Sequence, residues 1–402
     1  MKNKKIMILG ASILQLPAIQ KAKEMGLQVI AVDMDPNAVG FKEEGVIKEV
    51  ISTIDIPAVV ECAKKHKIDG VMTLASDMPM RTVAAVSKEL GLVGITEETA
   101  LKATNKACMR EALKQGGVAI PTFFKVSNKE EYDAATLKFD VPFIVKPVDN
   151  SGSRGIVKIE DLNDKESIFE AYEYSKALSR NGDVVVEEYM SGPEVSVETL
   201  TVNGECYVIQ ITDKITTGAP HFVEMGHSQP SQLDETTKEK IAEVAKMANR
   251  AIGITNGPSH TEIIVTNEGP KIVELGARLG GDCITTHLVP LSTGVDMVEC
   301  CIKIALGEEP DTSIKFSRGS AIRYLSCGEG KIESITGIED AKLLEGVRQI
   351  SIVYNIGDIV GEIKSSSDRV GFVVAQKDTP IEAVSECNNA IAMINITRRD
   401  II

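Results

Sequence analysis

The 402-residue sequence has no apolar run long enough to span a bilayer, and no N-terminal stretch joins a basic start to an apolar core as a secretory leader does. Nor has it an excess of positive charge: 44 Lys and Arg against 58 Asp and Glu give a net charge of -14 and a pI near 5.0. No general attraction to nucleic acid or anionic lipid follows, so a phosphate-bearing ligand must be met by cations placed locally. None of the eight cysteines stands in C-x-x-C spacing, and Cys300 and Cys301 sit side by side on an expected helix. That suits neither a zinc knuckle nor a disulfide frame and points to free thiols in a reducing compartment. Internal repeats, low-complexity tracts and the G-x-x-x-x-G-K-[ST] of a Walker loop are missing too. The expectation is a cytoplasmic protein with no membrane and no nucleic-acid partner.

What is present is an ordinary globular composition, 43% hydrophobic and 25% charged, over a length that implies two or three domains. The first hundred residues alternate between strand patterns (KKIMILG, LQVIAVD, DGVMTLAS) and helix patterns (PAIQKAKEMG, AVVECAKKHK, RTVAAVSKELGL), which predicts parallel strands with crossover helices in a Rossmann-like half-fold. The first turn, GASILQL, keeps Gly10 but lacks the further glycines that let backbone approach a pyrophosphate. Asp33 alone, at the end of the second strand, is weak support for a dinucleotide, and a scaffold role is the favoured expectation.

From residue 98 the texture changes to two short helices, started by Thr96 to Thr99 and stopped by Gly116 and Gly117. Strand patterns follow, with a hairpin predicted about Asn203-Gly204 and a second turn from Asn267 to Gly269. The last ninety residues are rich in strands and read as a smaller mixed sheet.

The stretch FIVKPVDNSGSRGI, residues 143–156, sets Lys146 at the end of a strand beside a Gly/Ser loop. One fixed cation with several unhindered backbone N–H groups can wrap a polyphosphate, although such a loop is also an ordinary surface turn. Glu262 and Glu274 lie on adjacent strand patterns joined by a tight turn, so a hairpin brings both carboxylates to one side. Hard divalent cations take such oxygen ligands; a solvated sheet face is the alternative. Arg278 follows four positions on, with Gly280-Gly281-Asp282 behind it, and offers a planar fork for a carboxylate or phosphate unless a neighbouring acid holds it in a salt bridge.

In these motifs and their order the chain resembles the ATP-grasp superfamily of ligases, a group that includes biotin carboxylase, phosphoribosylglycinamide synthetase, the carboxyaminoimidazole ribonucleotide synthetases and the L-amino acid ligases. The resemblance implies a multidomain α/β and α+β fold: a Rossmann-like domain over 1–97, a two-lobed ATP-grasp domain over 98–308 with a lid lobe at about 118–190, and a small mixed-sheet C-terminal domain over 309–402. Lys106 in ATNKACMR resembles the first nucleotide lysine and Lys146 the second, while the loop from Asn150 to Gly155, with Ser151, Gly152 and Ser153, resembles the lid over the terminal phosphates. Glu187 and the backbone near Tyr189 and Met190 would meet the adenine edge, and Glu194 the ribose hydroxyls. Glu262 and Glu274 match the metal-bridging acids, and Arg278 the arginine that stabilises the phosphoryl group in flight. His221, together with Glu224, resembles more loosely a stretch facing the terminal phosphates and the acceptor. Where many relatives carry asparagine two places after the second metal glutamate, this chain has Gly276, which leaves full occupancy of a second ion site open.

The resemblance implies ATP with Mg2+ or Mn2+, a small carboxylate activated as its acyl phosphate, an amine acceptor, and a homodimer. An amino acid or other small carboxylate is the expected substrate, with phosphoribosylglycinamide synthetase as the alternative. A non-catalytic ATP-binding module and an NAD oxidoreductase are weaker alternatives of other classes.

Overall fold

The computed structural model describes residues 4–150, 152 and 154–400. Ser151 and Ser153, named above in the lid loop, lie outside the described residues.

Strands β1 (Lys5–Leu9), β2 (Gln28–Asp33), β3 (Ile47–Val50) and β4 (Gly70–Met72) form a parallel sheet in the order β3-β2-β1-β4. The runs IMIL and VIAV are buried throughout, as strands of a parallel sheet covered on both faces should be. Helix Leu16–Glu24 crosses from β1 to β2 and helix Ile56–His66 from β3 to β4, while helix Met80–Leu90 follows β4. The Asp33 carboxylate accepts from the backbone N–H of Ala11 (2.7 Å) and of Asp35 (2.9 Å), so it closes its own loop. Over that loop the Gln15 amide donates to the Leu74 carbonyl at 2.6 Å.

A second, antiparallel sheet contains β5 (Phe123–Val126), β6 (Phe143–Pro147), β7 (Val157–Ile159) and β8 (Val184–Glu188) in the order β5-β8-β6-β7. Helices Lys129–Thr136 and Lys165–Ala177 cover it around an aromatic core of its own, in which Tyr132 and Tyr172 pack at 4.7 Å and Phe139 stacks on Phe143 at 5.4 Å.

The central sheet starts with β9 (Glu194–Val202), β10 (Glu205–Thr216), β11 (Glu224–Gln229), β12 (Gly257–Thr266) and β13 (Gly269–Gly276). The β9–β10 hairpin turns at Asn203, in the left-handed region at φ 51°, and β12–β13 turns between Thr266 and Gly269 as the sequence predicts. In that second hairpin Glu262 stands directly opposite Glu274, with a bulge just after Glu262. The strand-rich C-terminal region supplies β14 (Gly319–Leu325), β15 (Gly330–Thr336), β16 (Val347–Ile352), β17 (Ile359–Val360), β18 (Gly371–Lys377) and β19 (Asn395–Arg399).

The expected small mixed sheet differs in the structure. β14, β18 and β16 continue the central sheet, giving eight strands in the order β13-β12-β9-β10-β11-β14-β18-β16, and β17-β15-β19 form a separate sheet of three. All the pairings of these six strands are antiparallel. The physical reason is the free edge of β11: Gly226 to Gln229 pair with Arg323 to Ser320 of β14, whose GSAIRYL run is almost wholly buried. This continuity brings C-terminal residues to the cleft. Among the described residues no helix is long and apolar enough to cross a membrane.

Candidate active site

A cleft of 540 Å³ opens between the small antiparallel sheet, the central sheet and the loop after β4. Each predicted cation reaches it through a specific local device. Asn105 caps the helix Lys106–Gln115 by accepting from the Cys108 N–H (3.0 Å), and the Lys106 N–H donates to the Val148 carbonyl at 2.7 Å, tying the helix start to the end of β6. From there Lys106 Nζ donates to the Asn150 carbonyl (2.7 Å) and to Glu274 Oε1 (2.8 Å), joining the strand-end loop to the proposed metal strand.

Lys146 on β6 donates from Nζ to Glu187 Oε2 at 2.9 Å. Glu187 is almost fully buried and also receives Arg110, Nε to Oε1 at 2.6 Å and Nη2 to Oε2 at 3.0 Å, while Nη2 also donates to the Val273 carbonyl at 2.7 Å. Burial alone would raise the Glu187 carboxyl; the Arg110 and Lys146 charges outweigh it and hold it down at about 2. Both Glu187 oxygens are thus occupied, and at the cleft wall Glu187 is the anchor of Lys146 and Arg110.

The opposite wall is acidic. Lys214, buried on β10, donates to Glu262 Oε1 (3.0 Å) and pairs with Glu194 Oε1 (2.7 Å) and Glu224 Oε1 (3.5 Å). Burial disfavours its charge, yet the attraction of Glu262, Glu194 and Glu224 holds its pKa well above the ordinary lysine value. His260, two places before Glu262, lies with Nδ1 2.7 Å from Glu198 Oε1 and Nε2 3.5 Å from Glu262 Oε1. Burial alone would keep it neutral; the Glu198 carboxylate raises it to about 9, so His260 is a cation at neutral pH. Burial would likewise raise Glu262, but Lys214 and His260 hold it well below the usual carboxylate range. Two carboxylates in register, each paired with a lysine, are an oxygen donor set that fits a hard divalent cation completed by phosphate and water.

Arg278 is gripped by Asp77: Nε donates to Oδ1 at 2.8 Å and Nη2 to Oδ2 at 3.3 Å. At the far end Arg369 of the C-terminal region donates to both Asp282 oxygens at 2.8 Å and lies 3.6 Å over the Tyr324 ring. His227, buried on β11, stands 3.5 Å from Asp282. Burial opposes the Asp282 charge, but Arg369 and His227 hold it below the carboxylate range.

Of the residues singled out in the sequence, Lys146, Gly152, Glu187, Tyr189, Met190, Glu194, Glu262, Glu274 and Arg278 line the one cleft, and Lys106 touches it through Glu274. Gly155 does not line it; its carbonyl accepts from Ser175 Oγ at 2.7 Å behind the loop. His221 also falls outside the lining. It sits in the turn after β10, and Phe222, Glu224 and His227 face the cleft in its place. Arg110, Lys214, Asp77 and Arg369 were not legible as site residues. Arg110 had a signal, standing four positions after Lys106 on the same helix face, and Asp77 had another, following a strand of a parallel sheet.

Residues 139–286 match the family model described as an ATP-grasp domain, and residues 323–398 match L-amino acid ligase C-terminal domain 2. The L-arginine-specific L-amino acid ligase of Bacillus subtilis is 28% identical over 345 residues, covering 84% of this chain and 81% of its own length. The phosphoribosylamine–glycine ligase of Methanocaldococcus jannaschii is 27% identical over 405 residues, covering 91% of this chain and 87% of its own. In fold, the crystal structure of an L-amino acid ligase from Bacillus licheniformis aligns with a TM-score of 0.86 at 24% identity, over 100% of both chains. The chain carries an ATP-grasp domain, and these relatives, which cover most of its length, are ligases. It is similar to the L-amino acid ligases and to the phosphoribosylamine–glycine ligases alike.

Proposed function

We propose that this protein joins a small carboxylate, an amino acid or a close analogue, to an amine through an acyl phosphate made from ATP. The observation that carries the proposal is convergence: Lys106 and Lys146 on one side, Glu262 and Glu274 on the other, and Arg278 beside them meet at one cleft. A carboxylate oxygen attacks the γ-phosphorus, the bond to the bridging oxygen breaks, and ADP leaves with the electron pair. The amine then attacks the acyl carbon, phosphate departs, and the amine proton is released. Lys106 and Lys146 hold the phosphate chain, the backbone at Tyr189 and Met190 meets the adenine edge, and Glu194 takes the ribose hydroxyls. A Mg2+ or Mn2+ ion held by Glu262 and Glu274 would neutralise the phosphate oxygens. The chain's own contribution is alignment, positive charge and exclusion of water from a hydrolysable intermediate.

In the same reading the parallel N-terminal sheet over 1–97 is a Rossmann-like platform, the small sheet with its own core within about 118–190 is the lid of the 98–308 ATP-grasp unit, and 309–402 closes the cleft through Arg369. Eight free thiols suit a cytoplasmic location. The sheet ends at β16, an edge open to pairing in a homodimer.

The match to the L-amino acid ligase C-terminal domain 2 favours an amino acid substrate over phosphoribosylamine, the second reading. A panel of carboxylates and amines assayed for ADP release, with hydroxylamine added to trap an acyl phosphate as its hydroxamate, separates them. ADP release that requires an amino acid and yields its hydroxamate supports the first reading. Release only with glycine and phosphoribosylamine supports the second, and nucleotide binding with no release under any pair leaves a non-catalytic module.

A further inference from the structure

Asp77 belongs to the N-terminal sheet, in the loop between β4 and the helix Met80–Leu90, yet its carboxylate lies in the cleft on Arg278. The grip is side-on, through Nε and Nη2; among the described residues Nη1 has only the Leu279 carbonyl at 3.4 Å. A carboxylate held side-on fixes the guanidinium plane and leaves the Nη1–Nη2 edge for an anionic ligand. The loop is itself tied to this strand end, since the Ala75 N–H donates to the Leu279 carbonyl at 3.3 Å.

Room for the carboxylate comes from Gly276. A Cβ there would stand 2.8 Å from Asp77 Oδ1 and 3.2 Å from Arg278 Nε. A side chain at 276 and the Asp77 carboxylate therefore compete for one space beside the arginine.

We propose that Asp77 is a positioning residue of the ligation: it reaches from the first domain into the space that glycine leaves at 276 and sets the Arg278 guanidinium for the phosphoryl group. The proposal rests on the ligase reading above and deepens it.

The test uses the full chain as wild type, Asp77→Asn, Asp77→Ala, Gly276→Asn and the double variant Asp77→Ala/Gly276→Asn, each followed by ADP release and by thermal unfolding. A displacement of about 1 Å in such a group costs roughly a hundredfold in rate. Asp77→Ala is expected to lower kcat by about that factor with KM for ATP within about threefold of wild type, the pattern of an interaction realised at the transition state. Asp77→Asn, which has the same shape but no charge, remains folded while kcat falls with KM for ATP little changed. Gly276→Asn alone loses at least as much kcat as Asp77→Ala, because its side chain expels the carboxylate. The double variant regains about tenfold over Gly276→Asn, because the new amide oxygen then has the vacated space. Wild-type kcat in Asp77→Ala overturns the proposal, as do losses that simply multiply in the double variant. Should the wild type release no ADP with any substrate pair, the ligase reading fails first. The shared space is then read from unfolding alone, where shifts of the two single variants that add in the double variant overturn it as well.

Discussion

Glu187 joins two cations of different jobs, and removing each in turn separates stability from function. Arg110 makes two hydrogen bonds to the Glu187 carboxylate and a third to the Val273 carbonyl, with its guanidinium buried. Arg110→Met keeps the side-chain bulk but leaves Glu187 with Lys146 alone and removes the Arg110 hydrogen bond to Val273. Breaking a buried pair from one side costs about 3–5 kcal/mol. Lys146→Met leaves the same carboxylate held twice by Arg110, so only one charge-assisted bond is lost, about 1.5–3 kcal/mol. The Arg110 variant is therefore expected to be the less stable of the two by about 2 kcal/mol. Urea unfolding without nucleotide, followed by circular dichroism, reads the difference as a shift in midpoint at unchanged slope. Activity should rank the other way: Lys146→Met abolishes ADP release, whereas folded Arg110→Met retains a measurable fraction. Equal midpoints, or a less stable Lys146→Met, would refute the division of labour assigned to the two cations.

Acid should expose the same carboxylate. With its pKa depressed from 4.5 to about 2, Glu187 contributes stability that is complete above about pH 4.5 and is lost as pH falls through about 2; Glu187→Gln should flatten that limb of the stability curve and lower the plateau above it. Lys214→Met leaves Glu194 and Glu262 without their shared ammonium, so millimolar Mg2+ should raise the unfolding temperature of the variant more than that of wild type; equal shifts would count against a cation site at Glu262. Gly192 borders the cleft at φ 148°, and a Cβ there would sit 2.0 Å from the Val265 carbonyl oxygen. Gly192→Ala should cost roughly 2–4 kcal/mol in denaturant unfolding, and a variant within experimental error of wild type would contradict the close approach.

The parts of the molecule written in local pattern were legible before the structure. Alternation of buried strands and capped helices gave the parallel sheet, and the turn between Thr266 and Gly269 set Glu262 opposite Glu274. Lys146 and Arg278, singled out from strand and loop patterns, both line the cleft. What escaped depends on partners far apart in the chain. Asp77 meets Arg278 across 201 positions, Arg369 meets Asp282 across 87, and Arg110 meets Glu187 across 77. No periodicity encodes such pairs; only the fold does. The C-terminal strands were seen as strands but assigned to a sheet of their own, because the free edge of β11 that recruits β14 is a property of the assembled sheet. His221 was singled out on a loose resemblance to a stretch facing the terminal phosphates and the acceptor, whereas His227, on the strand beyond, lies at the cleft.

The central claim is that two lysines from one side of the cleft and two glutamates from the other surround a metal-bound triphosphate. Titration calorimetry of ATP into the full chain, with Mg2+ and with EDTA, tests it most directly when repeated on Glu262→Gln/Glu274→Gln. The account predicts one equivalent bound by wild type, tightened by Mg2+, and no Mg2+ dependence in the double variant. Wild-type affinity with the same Mg2+ dependence in the double variant would contradict it.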